Sequence, residues 1–187
     1  QVINIAVSEV GSGVHTNAGS YNNIIKGNTL FGNETGISFA QWGNGRFENE
    51  CENNTCTNNL VFNTLNMHPT LRLLHTYKPE FNPGVIDSNL YASPREMYHI
   101  YYTTVENGCK HIRQYTLDAW QQASRFDAHS KFIEISSDTR YEYFVNDGAS
   151  DKSFDLEDNK IYKTLQGENV EGSLRLGPYS AKILLYD

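Results

Sequence analysis

The segment from Gln41 to Arg46 contains the side chains best suited to bind a ligand. Trp42 lies in the sequence Ala-Gln-Trp-Gly-Asn-Gly, and a tryptophan with such neighbours is poorly placed for a hydrophobic core. Sugar rings stack on aromatic side chains, and Gln41 and Arg46 are close enough in the chain to reach sugar hydroxyls. The alternative is that Trp42 folds back onto the core and has only a structural role.

Histidines and carboxylates are the other candidates for chemistry. Glycosidases need two carboxylates across the scissile bond, whereas polysaccharide lyases need a base and a cation that neutralises the uronate charge. His15 follows Val14 on a predicted strand and should face outward, although a surface histidine often has no specific role. The acidic residues near the predicted loops are more often solvated turn residues; they are Glu34, Glu48, Glu50 and Glu52. No catalytic residue is assigned, and the predicted substrate-binding residues are His15, Gln41, Trp42 and Arg46.

A second segment with histidines, residues 66–83, allows two interpretations. His68, Arg72 and His75 could line a groove together. Their spacing also fits a short loop helix that packs Leu71 and Leu74 inward, and this second interpretation is favoured.

Neither a metal site nor a disulfide framework is indicated. Cys51, Cys56 and Cys109 cannot all pair, and they lack the paired Cys-x-x-Cys spacing of a zinc site. Four clustered aspartates lack the Asp-x-Asp-x-Asp-Gly arrangement of a calcium loop, so they are interpreted as solvated turns; they are Asp147, Asp151, Asp155 and Asp158. The sequence therefore predicts no cofactor, with calcium the one metal that such residues could accommodate.

Composition limits the partners. The 187 residues carry a formal net charge of −7, which argues against nucleic acid, since phosphates select a basic surface. No apolar run approaches the roughly 18 to 20 residues of a membrane span. Neutral glycans would tolerate this charge, whereas a polyuronide would need a local basic region.

Asparagine marks a repeat in the first half of the chain. Sixteen of the twenty asparagines precede position 90, and asparagine favours tight turns because it tolerates left-handed backbone. The first repeat has stations at Asn23, Ile25, Asn28, Leu30, Asn33, Gly36 and Ile37. Thirty residues later the stations are Asn53, Thr55, Asn58, Leu60 and Asn63, and thirty further on they are Val85, Ser88, Leu90 and Ser93. This spacing predicts that Leu30, Leu60 and Leu90 stack in one inward ladder.

A repeat of roughly 22 to 30 residues, with short strands broken by asparagine and glycine, is typical of a parallel β-helix. A leucine-rich repeat is the alternative, but it would need a denser leucine pattern and a helical return. A shorter echo places Gly13-Val14 twenty-three residues before Gly36-Ile37. It predicts that His15 lies beside Ser38.

The pattern changes after Ser93. Residues 97–105 predict a strand, and Thr116–Phe126 predicts a short helix with Thr116 as N-cap and with Trp120 packed onto the last coil. From Phe132 onward, five strand-like runs alternate with turns, which predicts a small antiparallel sheet or sandwich that caps the open edge of the coils. The predicted domains are 1–97 for the coils, 98–131 for a final strand, short helix and linker, and 132–187 for the antiparallel β-domain.

The chain resembles right-handed parallel β-helix proteins of the carbohydrate-active kind, which include secreted bacterial polysaccharide lyases and glycoside hydrolases. The likeness rests on the Asn-x-Ile-x-x-Asn ladder and on four further tracts, namely Asp87–Tyr91, Leu117–Gln121, Asp127–Ser130 and Gly172–Leu185. It implies an all-β fold in which the last coils of a right-handed parallel β-helix precede a small antiparallel β-cap.

The same resemblance implies the C-terminal part of a secreted or cell-surface polysaccharide-degrading enzyme, a glycoside hydrolase or a polysaccharide lyase. Most catalytic residues are then expected on upstream coils. The alternatives are a non-catalytic glycan-binding or adhesin-type β-helix and a phage tailspike fragment. Besides a polysaccharide or oligosaccharide, the expected partner is an upstream β-helix segment or a second chain that packs on residues 1–7, because Ile3 and Ile5 open an alternating apolar strand.

Overall fold

The computed structural model describes residues 11–17, 19–41, 51–64, 68–75, 82–94, 99–106, 109–136 and 138–187. The chain divides into two compact units, Gln1–Glu134 and Ile135–Asp187. Several residues named above lie outside the described ranges; they are the segment 1–7, Trp42, Arg46, Glu48 and Glu50.

Strands make up most of the described part of the first unit. Their bounds are β1 Ser12–Thr16, β2 Ile24–Lys26, β3 Thr29–Phe31, β4 Thr35–Gln41, β5 Asn54–Thr57, β6 Leu60–Phe62, β7 Leu71–His75, β8 Gly84–Asp87, β9 Leu90–Ser93, β10 Ile100–Glu106, β11 Cys109–Tyr115 and β12 Lys131–Glu134. Helix α1, Leu117–Ala123, lies between β11 and β12.

These strands form three sheets that the chain visits in turn. The first sheet has the order β1-β4-β7-β10-β11, the second β2-β5-β8, and the third β12-β9-β6-β3. Neighbouring strands pair in parallel in all three sheets except for β10 and β11, which form an antiparallel pair. The predicted all-β fold class is confirmed, and the repeat corresponds to one passage of the chain through three parallel sheets.

The predicted leucine ladder is wrong by one residue. Leu30 pairs with Val61, and Val61 pairs with Tyr91, and all three side chains are fully buried. Leu60 instead pairs with Leu90, and both are only partly buried. The first step of the repeat is thirty-one residues, not thirty, and a shift by one residue turns a side chain to the opposite face of its sheet.

The predicted alignment of Gly13-Val14 with Gly36-Ile37 is confirmed, whereas the predicted loop helix is not. Val14 pairs with Ile37, and His15 pairs with Ser38, as the echo predicts. Residues 71–75 form strand β7 of the first sheet, between β4 and β10, so the favoured helix in this segment is wrong. Leu71 and Leu73 both belong to the hydrophobic core, and their separation of two residues is the period expected of a strand.

Helix α1 begins as predicted and ends earlier. The Thr116 hydroxyl accepts a hydrogen bond from the backbone N–H of Ala119 at 3.2 Å, which confirms Thr116 as the N-cap. The helix ends at Ala123, because Ser124 has extended backbone with φ −130° and ψ 177°, while its N–H still donates to the Trp120 carbonyl. Trp120 is buried in the core against aromatic rings, so its predicted packing role is confirmed.

The second unit is antiparallel. Its strands are β13 Arg140–Asn146, β14 Lys152–Asp155, β15 Tyr162–Lys163, β16 Asn169–Val170, β17 Ser173–Leu176 and β18 Ser180–Tyr186. They form a four-stranded sheet of order β13-β18-β15-β16 and a two-stranded sheet of β14 and β17. Its core consists of Phe144, Leu156, Tyr162, Leu174, Leu176 and Leu184. Across the described parts of both units, no helix has the length and apolar character needed to cross a membrane.

Candidate functional site

A continuous row of polar side chains crosses the outer face of the first sheet. In register from β1 to β11 lie His15, Ser38, Arg72, Tyr101 and Gln114, here called the outer row. The residues that alternate with them on β4 and β7 belong to the hydrophobic core, so the row points away from it. Because parallel and antiparallel strands lie about 4.8 Å apart, the row is about 19 Å long.

His15 and Arg72 interact electrostatically across Ser38. Partial burial lowers the pKa of His15 below its ordinary value of 6.5, and the positive charge of Arg72 lowers it further. Ser38, which lies between them in the register, is buried. At neutral pH the site therefore contains an uncharged imidazole beside a permanently charged guanidinium.

The first sheet presents basic side chains to solvent at its edge as well. Strand β11 is exposed along its length and carries Lys110 on the face of the outer row, whereas His111 and Arg113 lie on its opposite face. Among the described side chains that the five strands turn outward, none is a carboxylate. Arg72 and Lys110 thus place positive charge on this face of a chain with a net charge of −7, which favours the approach of an anionic ligand.

Gln41 lies on the same sheet as His15 but belongs to the opposite face. It ends β4, shares the face of Ile37 and Phe39, and is 1% exposed. Its Oε1 atom lies 2.9 Å from Nδ1 of His75, which is also buried. The structure therefore does not bring Gln41 and His15 together.

Inside the first unit, a second polar column holds the repeats in register. Asn28, Asn59, Asn89 and Ser130 follow one another in this column, here called the inner column. The Asn59 side-chain oxygen accepts hydrogen bonds from the backbone N–H and the side-chain amide of Asn28, at 3.0 and 2.9 Å. The Asn89 oxygen accepts the same two bonds from Asn59, at 3.1 and 3.0 Å, and the Asn89 N–H donates to the Ser130 hydroxyl at 2.8 Å.

A buried carboxylate closes the inner column. Asp127 is fully buried and accepts hydrogen bonds from the hydroxyls of Tyr91 and Ser130, at 2.9 and 2.6 Å. The indole N–H of Trp120 donates to its second oxygen at 3.1 Å. Burial raises the pKa of Asp127, and the hydrogen bonds from Ser130, Tyr91, Asn89 and Trp120 oppose that shift. Because Asp127 has no exposed surface, its role in this arrangement is structural.

Sequence reasoning identified part of the outer row. His15 was predicted as a binding residue, whereas Arg72 was named only in the groove interpretation that was not favoured, and Tyr101 and Gln114 were not singled out. Side chains that alternate between the two faces of β10 were the available signal for Tyr101. That alternation does not reveal which strands pair with β10. The register places Tyr101 next to Arg72 and Gln114 next to Tyr101.

Metal chemistry finds no support in the described ranges. No group of three histidine, cysteine, aspartate or glutamate side chains within them is arranged to hold a metal ion. The three cysteines are unpaired: Cys51 and Cys56 are buried, and Cys109 is exposed on the edge strand. Burial raises the pKa of both buried thiols, so they remain protonated and unreactive at neutral pH.

Comparisons of this chain with protein families, with curated proteins and with solved structures gave no match.

Proposed function

We propose that the three parallel sheets are coils of a right-handed parallel β-helix, and that the outer row binds an acidic polysaccharide and cleaves it by β-elimination. The observation that carries this proposal is the register of the outer row, which places His15 and Arg72 two strands apart on one face of the first sheet, with the pKa of His15 lowered so that its imidazole is uncharged at neutral pH. The resemblance of the sequence to carbohydrate-active β-helix proteins supports it. A polymeric sugar substrate implies a protein that is secreted or held at the cell surface.

The chemistry follows from the two groups. His15 takes the proton from the ring carbon next to the uronate carboxylate, and a carbon–carbon double bond forms as the bond to the glycosidic oxygen breaks. Arg72 binds the carboxylate and stabilises the negative charge that develops on it as the proton leaves. The departing oxygen takes a proton from the Tyr101 hydroxyl, which regains one from solvent, while the protonated His15 releases its proton to solvent.

Elimination fits the outer row better than hydrolysis. Glycoside hydrolysis requires a pair of carboxylates on either side of the scissile bond, and the five side chains of the outer row include none. A lyase instead requires a base and a cation. His15 supplies the base and Arg72 supplies the cation. A length of about 19 Å also suits a polymer that lies across several strands.

Glycan binding without cleavage is the second candidate. The row ends at Tyr101 and Gln114, and a tyrosine ring with an amide neighbour is a common sugar-binding combination. A binder would keep these contacts and would not use the neutral state of His15.

A direct assay distinguishes these functions. The protein is incubated with polymers of galacturonate, glucuronate or mannuronate and with a neutral glucan, and the conjugated double bond is followed by its ultraviolet absorbance. We expect absorbance to grow with one polyuronate and not with the glucan. Binding to a polyuronate without new absorbance would support the binder, and binding to neither would reject both.

Arg72→Gln provides the matched test of the site. We expect this variant to lower the elimination rate by about 100-fold or more, as loss of a charge-stabilising donor does in other enzymes. Arg140→Gln changes the charge by the same amount at an exposed position of the second unit and should leave the rate unchanged. Equal rates for wild type and Arg72→Gln would exclude the outer row as the site.

A further inference from the structure

The second sheet carries a cleft that the outer row does not use. It has a volume of about 500 Å³ and lies along β5 and β8, with the chain after α1 at one side. The lining residues that matter below are Asn53, Asn82, Val85, Asp87, Arg125 and Phe126. A volume of this size is in the range of about 300–1,000 Å³ that small-molecule sites occupy.

Arg125 is the cationic group of this cleft. Its guanidinium lies 5.7 Å from the centre of the Phe126 ring. Within the described ranges, no carboxylate lies within ion-pair distance of it. Asp87 also lines the cleft, but its two oxygens accept hydrogen bonds from the backbone N–H and Nδ1 of His129, both at 2.7 Å. The positive charge of Arg125 is thus available to a ligand.

The segment that carries Arg125 is held firmly. Phe126 stacks on Trp120 with ring centres 5.8 Å apart, and its backbone N–H donates to the Ser124 hydroxyl at 3.1 Å. The next residue, Asp127, donates its backbone N–H to the Ile86 carbonyl on β8 at 2.7 Å and is locked into the inner column. These contacts fix the backbone on both sides of Arg125, so the exposed Arg125 side chain starts from a defined position beside the Phe126 ring.

Apolar and amide groups complete the cleft. Val85 projects from β8 with 56% of its surface exposed. Asn82 and Asn53 contribute amides where the chain enters β8 and β5, at the same end of these two parallel strands. The side-chain oxygen of Asn82 accepts the backbone N–H of Gly84 at 3.2 Å, which leaves its amide nitrogen to donate.

We propose that this cleft is a second binding site, for a single acidic sugar residue whose carboxylate pairs with Arg125. The guanidinium fork matches a carboxylate, the exposed Val85 beside the largely buried Phe126 offers an apolar wall to the C–H face of the ring, and the amides match hydroxyls. Inorganic phosphate would satisfy Arg125 but would leave the apolar wall unused. This inference rests on the proposed function, because it assigns a further contact for the same class of acidic polysaccharide.

The test uses the whole chain with His15→Asn as background, so that bound sugar is not cleaved. Binding of galacturonate, glucuronate, glucose and inorganic phosphate is measured by titration calorimetry and by NMR shifts of the Val85 methyl groups. We expect one uronate to shift these methyl signals, glucose to shift them much less, and Arg125→Gln to weaken uronate binding about tenfold. Arg140→Gln should have no effect.

Each outcome decides between the two proposals. Uronate binding that Arg125→Gln leaves unchanged would overturn the second site while leaving the outer row untouched. Phosphate binding as tight as that of the uronates would overturn the sugar assignment and identify a general anion site. If Arg125→Gln weakens binding while no variant of the outer row alters elimination, the second site stands and the proposed function fails. Val85→Ser, at an exposed position, provides a second variant that should weaken binding without unfolding the chain.

Discussion

The inner column and the outer row are both built from polar side chains that recur once per strand, yet they differ in what their hydrogen bonds reach. In the inner column, Asn28, Asn59 and Asn89 bond to one another in the buried interior. In the outer row, His15 is exposed, and Arg72, two strands away, lowers its pKa rather than holding its position.

This difference separates structural polarity from functional polarity. A buried amide that lacks a partner costs about 1–3 kcal/mol, so a ladder in which each amide satisfies the next specifies one register. Surface polar groups already have water as a partner and contribute little to stability. Variants of the two sets should therefore have opposite effects: loss of stability from the inner column and loss of function from the outer row.

The largest effect is expected from His15→Asn. Loss of a general base lowers the rate by about 10²–10⁴-fold, and asparagine keeps a polar side chain of similar size. Because His15 is exposed, the midpoint of thermal unfolding should stay within a few degrees of wild type. Elimination rates and melting curves test this together. A normal elimination rate with a lowered melting temperature would show that His15 has a structural role, like the residues of the inner column.

Asn59→Ala should have the largest effect on stability. The substitution removes a side chain that accepts two bonds from Asn28 and donates to Asn89 and to the Ile25 carbonyl, so we expect a loss of about 3 kcal/mol. Asn58→Gly is the control, because Asn58 is exposed with φ 56°, a conformation that glycine adopts freely. Urea unfolding of both variants measures the difference. Similar losses of unfolding free energy at Asn58 and Asn59 would contradict the structural role assigned to the inner column.

A smaller loss, about 2 kcal/mol, is expected from Asp127→Asn. Both oxygens of Asp127 accept hydrogen bonds, from the hydroxyls of Tyr91 and Ser130 and from the indole of Trp120. Asparagine would turn an NH₂ group toward one of these donors and leave it unsatisfied. The free energy of unfolding in urea checks this value, and an unchanged value would show that the donors find other partners.

Acidification should separate the two sets. Since the pKa of His15 lies below 6.5, elimination should hold from pH 7 down to that pKa and then fall as the imidazole is protonated. The pKa of Asp127 in the folded state is raised above 3.8. Its contribution to stability is therefore fully present below pH 3.8 and declines as the pH rises from 3.8 to the folded-state pKa. Acidification does not remove this contribution. Rates and melting temperatures measured over the same pH series should thus diverge, and a common midpoint would contradict the assignment.

The smallest expected effect belongs to Gln114→Ala. Gln114 is the last member of the outer row on the edge strand, so its loss should weaken polymer binding only about twofold and leave the rate on saturating polymer unchanged. Titration with long and short polyuronates measures this. A large effect would mean that the reacting sugar lies nearer β11 than His15.

The sequence alone determined features that depend on neighbouring residues. The all-β class follows from the asparagine-rich turns, and Asn58 and Ser88 have the left-handed backbone expected of turn residues, with φ values of 56° and 57°. Thr116 as N-cap and the pairing of His15 with Ser38 were likewise predicted correctly. Each of these depends on local backbone preference or on one short, unbroken spacing.

Only the tertiary structure decided the register and hence the sites. Asn58 and Asn59 are chemically identical, but one lies in a solvent-exposed turn and the other in the inner column. Strand β7 was interpreted as a helix because its partners, β4 and β10, are distant in the chain. Parallel pairing depends on loop lengths, and a single extra residue between Leu30 and Val61 reverses which side chains face the core. For the same reason, the row from His15 to Gln114 exists only once the strands are aligned.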